Sequence, residues 1–121
     1  MLPIESKNME EYITIGNARF YPNRSQIEKE GTVYGMSGIE ASILRTLAAT
    51  PNVVVTYEHL SLEVFSWEFH PGDTAQFLTR IRRLRQKLGA EHLITIPDVG
   101  YKLVLTVVGA PGIASIGTIH T

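Results

Sequence analysis

The sequence predicts a single α+β domain in which a small antiparallel sheet, three helices and a C-terminal β-hairpin follow one another along the chain. Three observations carry that reading. Short apolar runs broken by turn residues fill positions 11 to 35, the apolar spacing becomes helical at Ser37, and strand-like runs return after Gly89. The 121 residues, 44% of them hydrophobic, suffice for one core and are too few for two ordinary domains.

The first run divides into EYITI, the turn Gly16-Asn17, ARFY, the turn Pro22-Asn23-Arg24, SQIEKE, Gly31 and TVYG, which reads as strands joined by tight turns. Ser37 followed by Glu40 is a capping box, and Ile39, Ile43, Leu44 and Leu47 form the apolar stripe of a first helix over about 37 to 49. Asn52 to Val55 is a short apolar stretch. Thr56 then caps a second helix, with Leu60, Val64, Phe65 and Trp67 as candidates for its buried side. Pro71 and Gly72 force a loop.

The third helix is the most legible element. Phe77, Ile81, Leu84 and Leu88 recur at spacings of four, three and four, which draws one apolar stripe. Asp73 with Gln76 resembles a capping box, and Gly89 suits a left-handed position after the last turn. HLITI and YKLVLTVV, separated by Pro97-Asp98-Val99-Gly100, read as a hairpin. Three helices and a hairpin make a winged helix-turn-helix, with helices two and three as the helix-turn-helix and the hairpin as the wing. The expected boundaries are an N-terminal extension over 1–10, the winged-helix domain over 11–108 and a flexible tail over 109–121.

Charge points to a polyanion. Of 11 Lys and Arg residues, five (Arg80, Arg82, Arg83, Arg85 and Lys87) crowd into positions 76 to 87 with no acid among them, while the whole chain carries a formal charge of -1. Such a dipolar layout orients one face toward a polyanion. At about 100° per residue, Gln76, Thr79, Arg83 and Gln86 lie furthest from the apolar stripe. Those four are placed for base edges, and Arg80, Arg82 and Lys87 on the flanks for phosphates. Arg85 falls nearer the buried side, where it is expected to brace a neighbouring carboxylate.

Zero cysteines exclude a disulfide framework and a thiolate zinc site. His59, His70, His92 and His120 show no ligand spacing, so neither a metal nor another cofactor is expected. No P-loop, GxSxG or glycine fingerprint supports an enzyme. No secretion signal and no apolar run long enough to span a bilayer are present, so the expected setting is cytoplasmic, without membrane contact.

Residues 11 to about 105 resemble the C-terminal effector domain of OmpR/PhoB-type response regulators of two-component systems. MSGIEASILRTL (36–47) is similar to that family's LT-x-x-E-x-x-LL, with Glu40 at the Glu position; VFSWEF (64–69) resembles VWGYDY, IRRLRQKL (81–88) resembles IRRLRKKL, and TIPDVGYKL (95–103) resembles TVRGVGYRL. The resemblance implies a transcription regulator whose third helix enters the major groove of double-stranded DNA and whose wing approaches the backbone or minor groove. In the wing, Thr95 and Lys102 read either as phosphate ligands or as ordinary exposed strand residues. The resemblance also implies that the loop between helices two and three, carrying Trp67, Glu68, Phe69 and His70, contacts RNA polymerase.

The departures bear on specificity. Pro97 and Asp98 stand where the family wing carries Arg and Gly, which puts minor-groove readout in doubt. AQFLTRI (75–81) replaces RTVDVHI, so a cation moves to Arg80 and one is lost near Ala75. The family places a phosphoacceptor receiver domain before this one; with none in these residues, either a longer chain or a stand-alone regulator is expected, with a receiver domain or a homodimer partner as further contacts. The rival reading is a winged helix used as a protein-interaction module with weak or no DNA binding, motivated by Pro97, Asp98 and the net negative charge.

Overall fold

The computed structural model describes residues 11–106. The expected extension, the expected domain end at 108 and the whole of the expected tail lie outside the described residues.

The N-terminal strands form a meander of neighbouring antiparallel pairs: β1 (Ile13–Ile15), β2 (Ala18–Tyr21), β3 (Gln26–Lys29) and β4 (Thr32–Gly35). Glu30 and Gly31 close the last hairpin with φ of 52° and 84°. Two successive positive φ values are what a type I′ hairpin turn demands. Register puts Ile13 opposite Phe20 and Phe20 opposite Ile27, so one face of the sheet is apolar, and Ile15, Ala18, Phe20 and Ile27 are fully buried on it.

Helix α1 (Gly38–Ala49) starts from the expected capping box: the Glu40 N–H donates to Ser37 Oγ at 3.1 Å, and the Ser37 N–H donates to Glu40 Oε1 at 3.2 Å. Helix α2 (Tyr57–Phe65) is capped by the Thr56 hydroxyl and ends at Ser66, whose φ of 64° and ψ of 26° are left-handed. Leu60 is buried as expected, Val64 and Phe65 are half-buried, and Trp67 lies beyond the helix and exposed. Helix α3 (Thr74–Leu88) buries Phe77, Ile81, Leu84 and Leu88, the expected stripe.

The ends of α3 differ from expectation. Asp73 does not cap with Gln76; its carboxylate turns back to accept from the His70 N–H at 3.0 Å, because a 3₁₀ turn over Pro71–Asp73 leads into the helix. Gly89 has positive φ, 112°, but its ψ of 133° is extended rather than helical. A second 3₁₀ turn, Ala90–His92, follows, so the hairpin strands are β6 (Leu93–Ile96) and β7 (Gly100–Leu103), shorter than the apolar runs around them.

A strand that the sequence left unassigned completes the wing. β5 (Val55–Thr56), just before α2, pairs antiparallel with β7, giving a three-stranded sheet in the order β5-β7-β6. Gly100 is required there, because a Cβ on it would collide with the Val55 carbonyl. The wing turn is also held, since the Tyr57 N–H donates to the Val99 carbonyl at 2.9 Å.

The two sheets meet at His92. Its Nδ1 lies 2.7 Å from the Val104 carbonyl, and its ring fills the space a side chain at Gly16 would need. The Gly16 N–H donates to the Leu105 carbonyl at 2.9 Å. One continuous core therefore runs from the meander through the helices to Tyr101, Leu103 and Leu105.

Candidate nucleic-acid interface

With its apolar stripe packed on the core, α3 turns Gln76, Thr79, Arg82, Arg83 and Gln86 to solvent, while Arg80, Arg85 and Lys87 are half-buried on its flanks. The Thr79 hydroxyl donates to the Ala75 carbonyl at 3.1 Å, which spends its proton and leaves its oxygen as an acceptor. Arg80 lies back along the helix, with Nη1 at 3.5 Å from the Gln76 carbonyl. Arg82 is exposed and makes no ion pair or hydrogen bond among the described residues.

Lys87 departs from its expected place among the phosphate-seeking cations. Its Nζ donates to Glu40 Oε1 at 3.0 Å and to the Gly35 carbonyl at 3.1 Å, and only 19% of its side chain is exposed. Arg83 Nη1 lies 3.5 Å from Glu40 Oε2, yet the Arg83 side chain stays 58% exposed. Glu40 is thus a buried carboxylate serving both its own helix cap and two cations of α3. Burial alone would push its carboxyl up; the hydrogen bonds from Lys87 and from the Ser37 N–H, the Lys87 charge and Arg83 outweigh that and hold it below its ordinary value.

Arg85 does lie toward the buried side, but its partner is not a carboxylate. Nε and Nη2 both donate to the Leu93 carbonyl, at 3.0 and 2.8 Å, and Nη2 also donates to Thr95 Oγ1 at 2.8 Å. The guanidinium therefore rivets α3 to the first wing strand and engages Thr95, an exposed residue expected to meet phosphate. Lys102, half-buried, is on the facing strand, where Ile94 pairs with it. At the wing tip Pro97 and Asp98 are exposed, Asp98 with φ of 65°. Tyr101 is a core residue, and burial first, then the neighbouring Tyr57, pushes its hydroxyl up to about 12.

In the loop before α3, Phe69 stacks on Tyr57 with ring centroids 5.0 Å apart and packs against the core, so it is an anchor more than a surface. Trp67 stacks on Phe65 at 4.9 Å and remains 48% exposed; Glu68 and His70 are exposed. Among the described residues, no group of three or more His, Asp or Glu could hold a metal, and no helix is long and apolar enough to cross a membrane.

That Glu40 reaches α3 has no local signal in the sequence: its capping role is visible from local spacing, but its pairing with Lys87 spans 47 positions.

Residues 31–103 match the family described as "Transcriptional regulatory protein, C terminal". The chain belongs to that family. Among curated members it is 35% identical over 83 residues to the transcriptional regulatory protein ResD of Bacillus subtilis, covering 64% of this chain and 34% of ResD. It is 44% identical over 69 residues to SrrA of Staphylococcus aureus, covering 52% of this chain and 28% of SrrA. The chain thus spans about a third of the length of the curated relatives it matches. The DNA-binding domain of CpxR from Escherichia coli superposes with a TM-score of 0.68 at 30% identity, over 77% of this chain and 95% of that one. The Klebsiella pneumoniae RstA DNA-binding domain, solved with its RstA box, shares the fold at a TM-score of 0.66 and 20% identity, over 78% and 98% of the two chains. The winged helix-turn-helix is accordingly that of the OmpR/PhoB-type effector domains, which bind DNA to regulate transcription.

Proposed function

We propose that this effector domain reads double-stranded DNA with α3 in the major groove. The observation that carries the reading is the division of α3 into a buried apolar stripe and an acid-free outer face of Gln76, Thr79, Arg82, Arg83 and Gln86. Arg83, with Gln76, Thr79 and Gln86, faces base edges, and Arg80 and Arg82 take phosphates. Lys87 serves the domain's own Glu40 instead. Thr95 and Lys102 approach the backbone from the wing, with Asp98 weakening any minor-groove insertion. The setting of this activity is the cytoplasm.

A guanidinium that bonds guanine O6 and N7 together discriminates by about 1 to 3 kcal/mol. Arg83→Ala therefore lowers affinity for a duplex selected by the wild type at least severalfold more than affinity for a random duplex. Equal losses on both would take Arg83 out of base reading.

A second surface supports a protein contact beside DNA binding. Trp67, just past α2, is half-exposed and stacked on Phe65, and Leu62 of α2 is 57% exposed; exposed aromatic residues are enriched where proteins meet partners. RNA polymerase is the partner of this reading, and a receiver domain or a second copy of the chain are further partners of the whole regulator. Trp67→Ala is expected to leave DNA affinity unchanged while reducing activated transcription in a purified system; a matching loss of DNA affinity would remove the separate role. A protein-only module, favoured by Asp98 at the wing tip, predicts no duplex binding by the wild type.

A further inference from the structure

We propose that Glu40, on α1 and outside the reading helix, is a positioning residue for sequence discrimination: its carboxylate holds the Arg83 guanidinium in the pose that meets a base. The inference rests on the reading of α3 given above and adds a residue to it.

The geometry divides the two oxygens of Glu40 between two tasks. Oε1 is occupied by the Ser37 N–H at 3.2 Å and by Lys87 Nζ at 3.0 Å. Oε2 faces Arg83 Nη1 at 3.5 Å. The carboxylate is 3% exposed, so it is fixed by packing and by its cap, while the arginine it touches is 58% exposed. A rigid, buried acceptor thus grips one corner of an otherwise solvent-facing side chain.

That contact changes what Arg83 can do. A guanidinium carries five N–H donors, so one terminal nitrogen on Glu40 leaves a further edge for guanine O6 and N7. A long, free arginine loses rotamer freedom when it docks, and ordering it beforehand removes part of that cost. Lys87 makes the arrangement tolerable on a DNA-facing surface. Its ammonium, bonded to Oε1 and to the Gly35 carbonyl, offsets the carboxylate charge that would otherwise repel phosphates. Arg82, exposed one position earlier with no such tether among the described residues, is the internal comparison.

Glu40→Gln removes the charge that holds Arg83 while keeping the helix cap. Gln still serves as the acceptor of a capping box, so its carbonyl replaces Oε1 and its NH₂ then opposes the Arg83 donor. The 121-residue chain, as wild type, Glu40→Gln, Arg83→Ala and the double variant, is titrated by fluorescence anisotropy onto a duplex selected by the wild type and onto a random duplex. Glu40→Gln is expected to lower the selected-to-random affinity ratio by about fivefold, the lower end of what one arginine–guanine pair discriminates, and to lower it no further once Arg83 is Ala. An unchanged ratio, or the same drop with and without Arg83, overturns the proposal. If the wild type itself binds no duplex at low salt, the reading of α3 fails first and the proposal falls with it; selective wild-type binding with an indifferent Glu40→Gln sinks only the proposal. Nitrogen-15 relaxation of the arginine Nε groups in the unaltered chain gives a test free of folding effects: Arg83 is expected to be clearly more ordered than Arg82, and equal mobility would contradict the tether.

Discussion

Glu40 shows how one residue acquires several roles from its surroundings. Its carboxyl is held below the ordinary value of 4.5 because the bonds and charges of Lys87, Ser37 and Arg83 outweigh the burial that opposes them. A carboxylate depressed in the folded state contributes stability that is present above its unfolded pKa and lost as pH falls through its folded pKa. Replacing Glu40 by Gln should therefore cost about 1.5 to 3 kcal/mol at pH 7, the range for hydrogen bonds to charged groups. The gap between the two proteins should close as pH falls below 4.5, and urea melts at pH 7 and pH 3 measure it. A gap of the same size at both would mean that the charge of Glu40 contributes nothing. The cap of Ser37 and Glu40 was legible because it lies within four residues. The ion pairs were not, because their partners join only when α1 and α3 pack.

At the scale of elements, local spacing specified faces well and pairings poorly. The stripe of α3 was readable because helical period alone decides which side chains point together. The turns at Gly16-Asn17 and Pro97–Gly100 were readable from turn chemistry. The two residues of β5 carry no period of their own; they become a strand only because β7 passes beside them with Gly100 at the close approach. The lead-in to α3 was misread for a similar reason: Asp73 has an acceptor that suits either Gln76 or His70, and Pro71 settles the choice by favouring the 3₁₀ turn. Arg85 was expected on a carboxylate and sits on the Leu93 carbonyl, since β6 rather than an acidic side chain occupies that flank. Arg85→Ala should cost about 1 to 2 kcal/mol and raise the amide hydrogen exchange of residues 93–96 well above that of α1. Unchanged protection of β6 would show that the wing does not depend on this rivet.

For the whole molecule, the fold gathers four elements around one outer face: α3 carries the exposed polar side chains, the N-terminal sheet and α1 anchor its C-terminal half through Lys87 and Lys29, and the wing is tied to it by Arg85. Lys29 Nζ donates to the Leu88 carbonyl at 3.3 Å, near the negative end of the α3 dipole. These ties sort the cluster of five cations. Lys87 and Arg85 hold the domain together, and Arg80, Arg82 and Arg83 are the cations that the proposed DNA contact uses. The measurement that tests this most directly is duplex binding across a salt series, comparing wild type with a variant in which Arg80, Arg82 and Arg83 alone become Ala. With Arg80, Arg82 and Lys102 as its cationic phosphate contacts, the wild type should show a slope of log affinity against log salt of about -3, and the variant should lose most of its affinity and about two units of that slope while staying folded. A wild type that binds no duplex at low salt, or a variant with the same slope, would contradict the account.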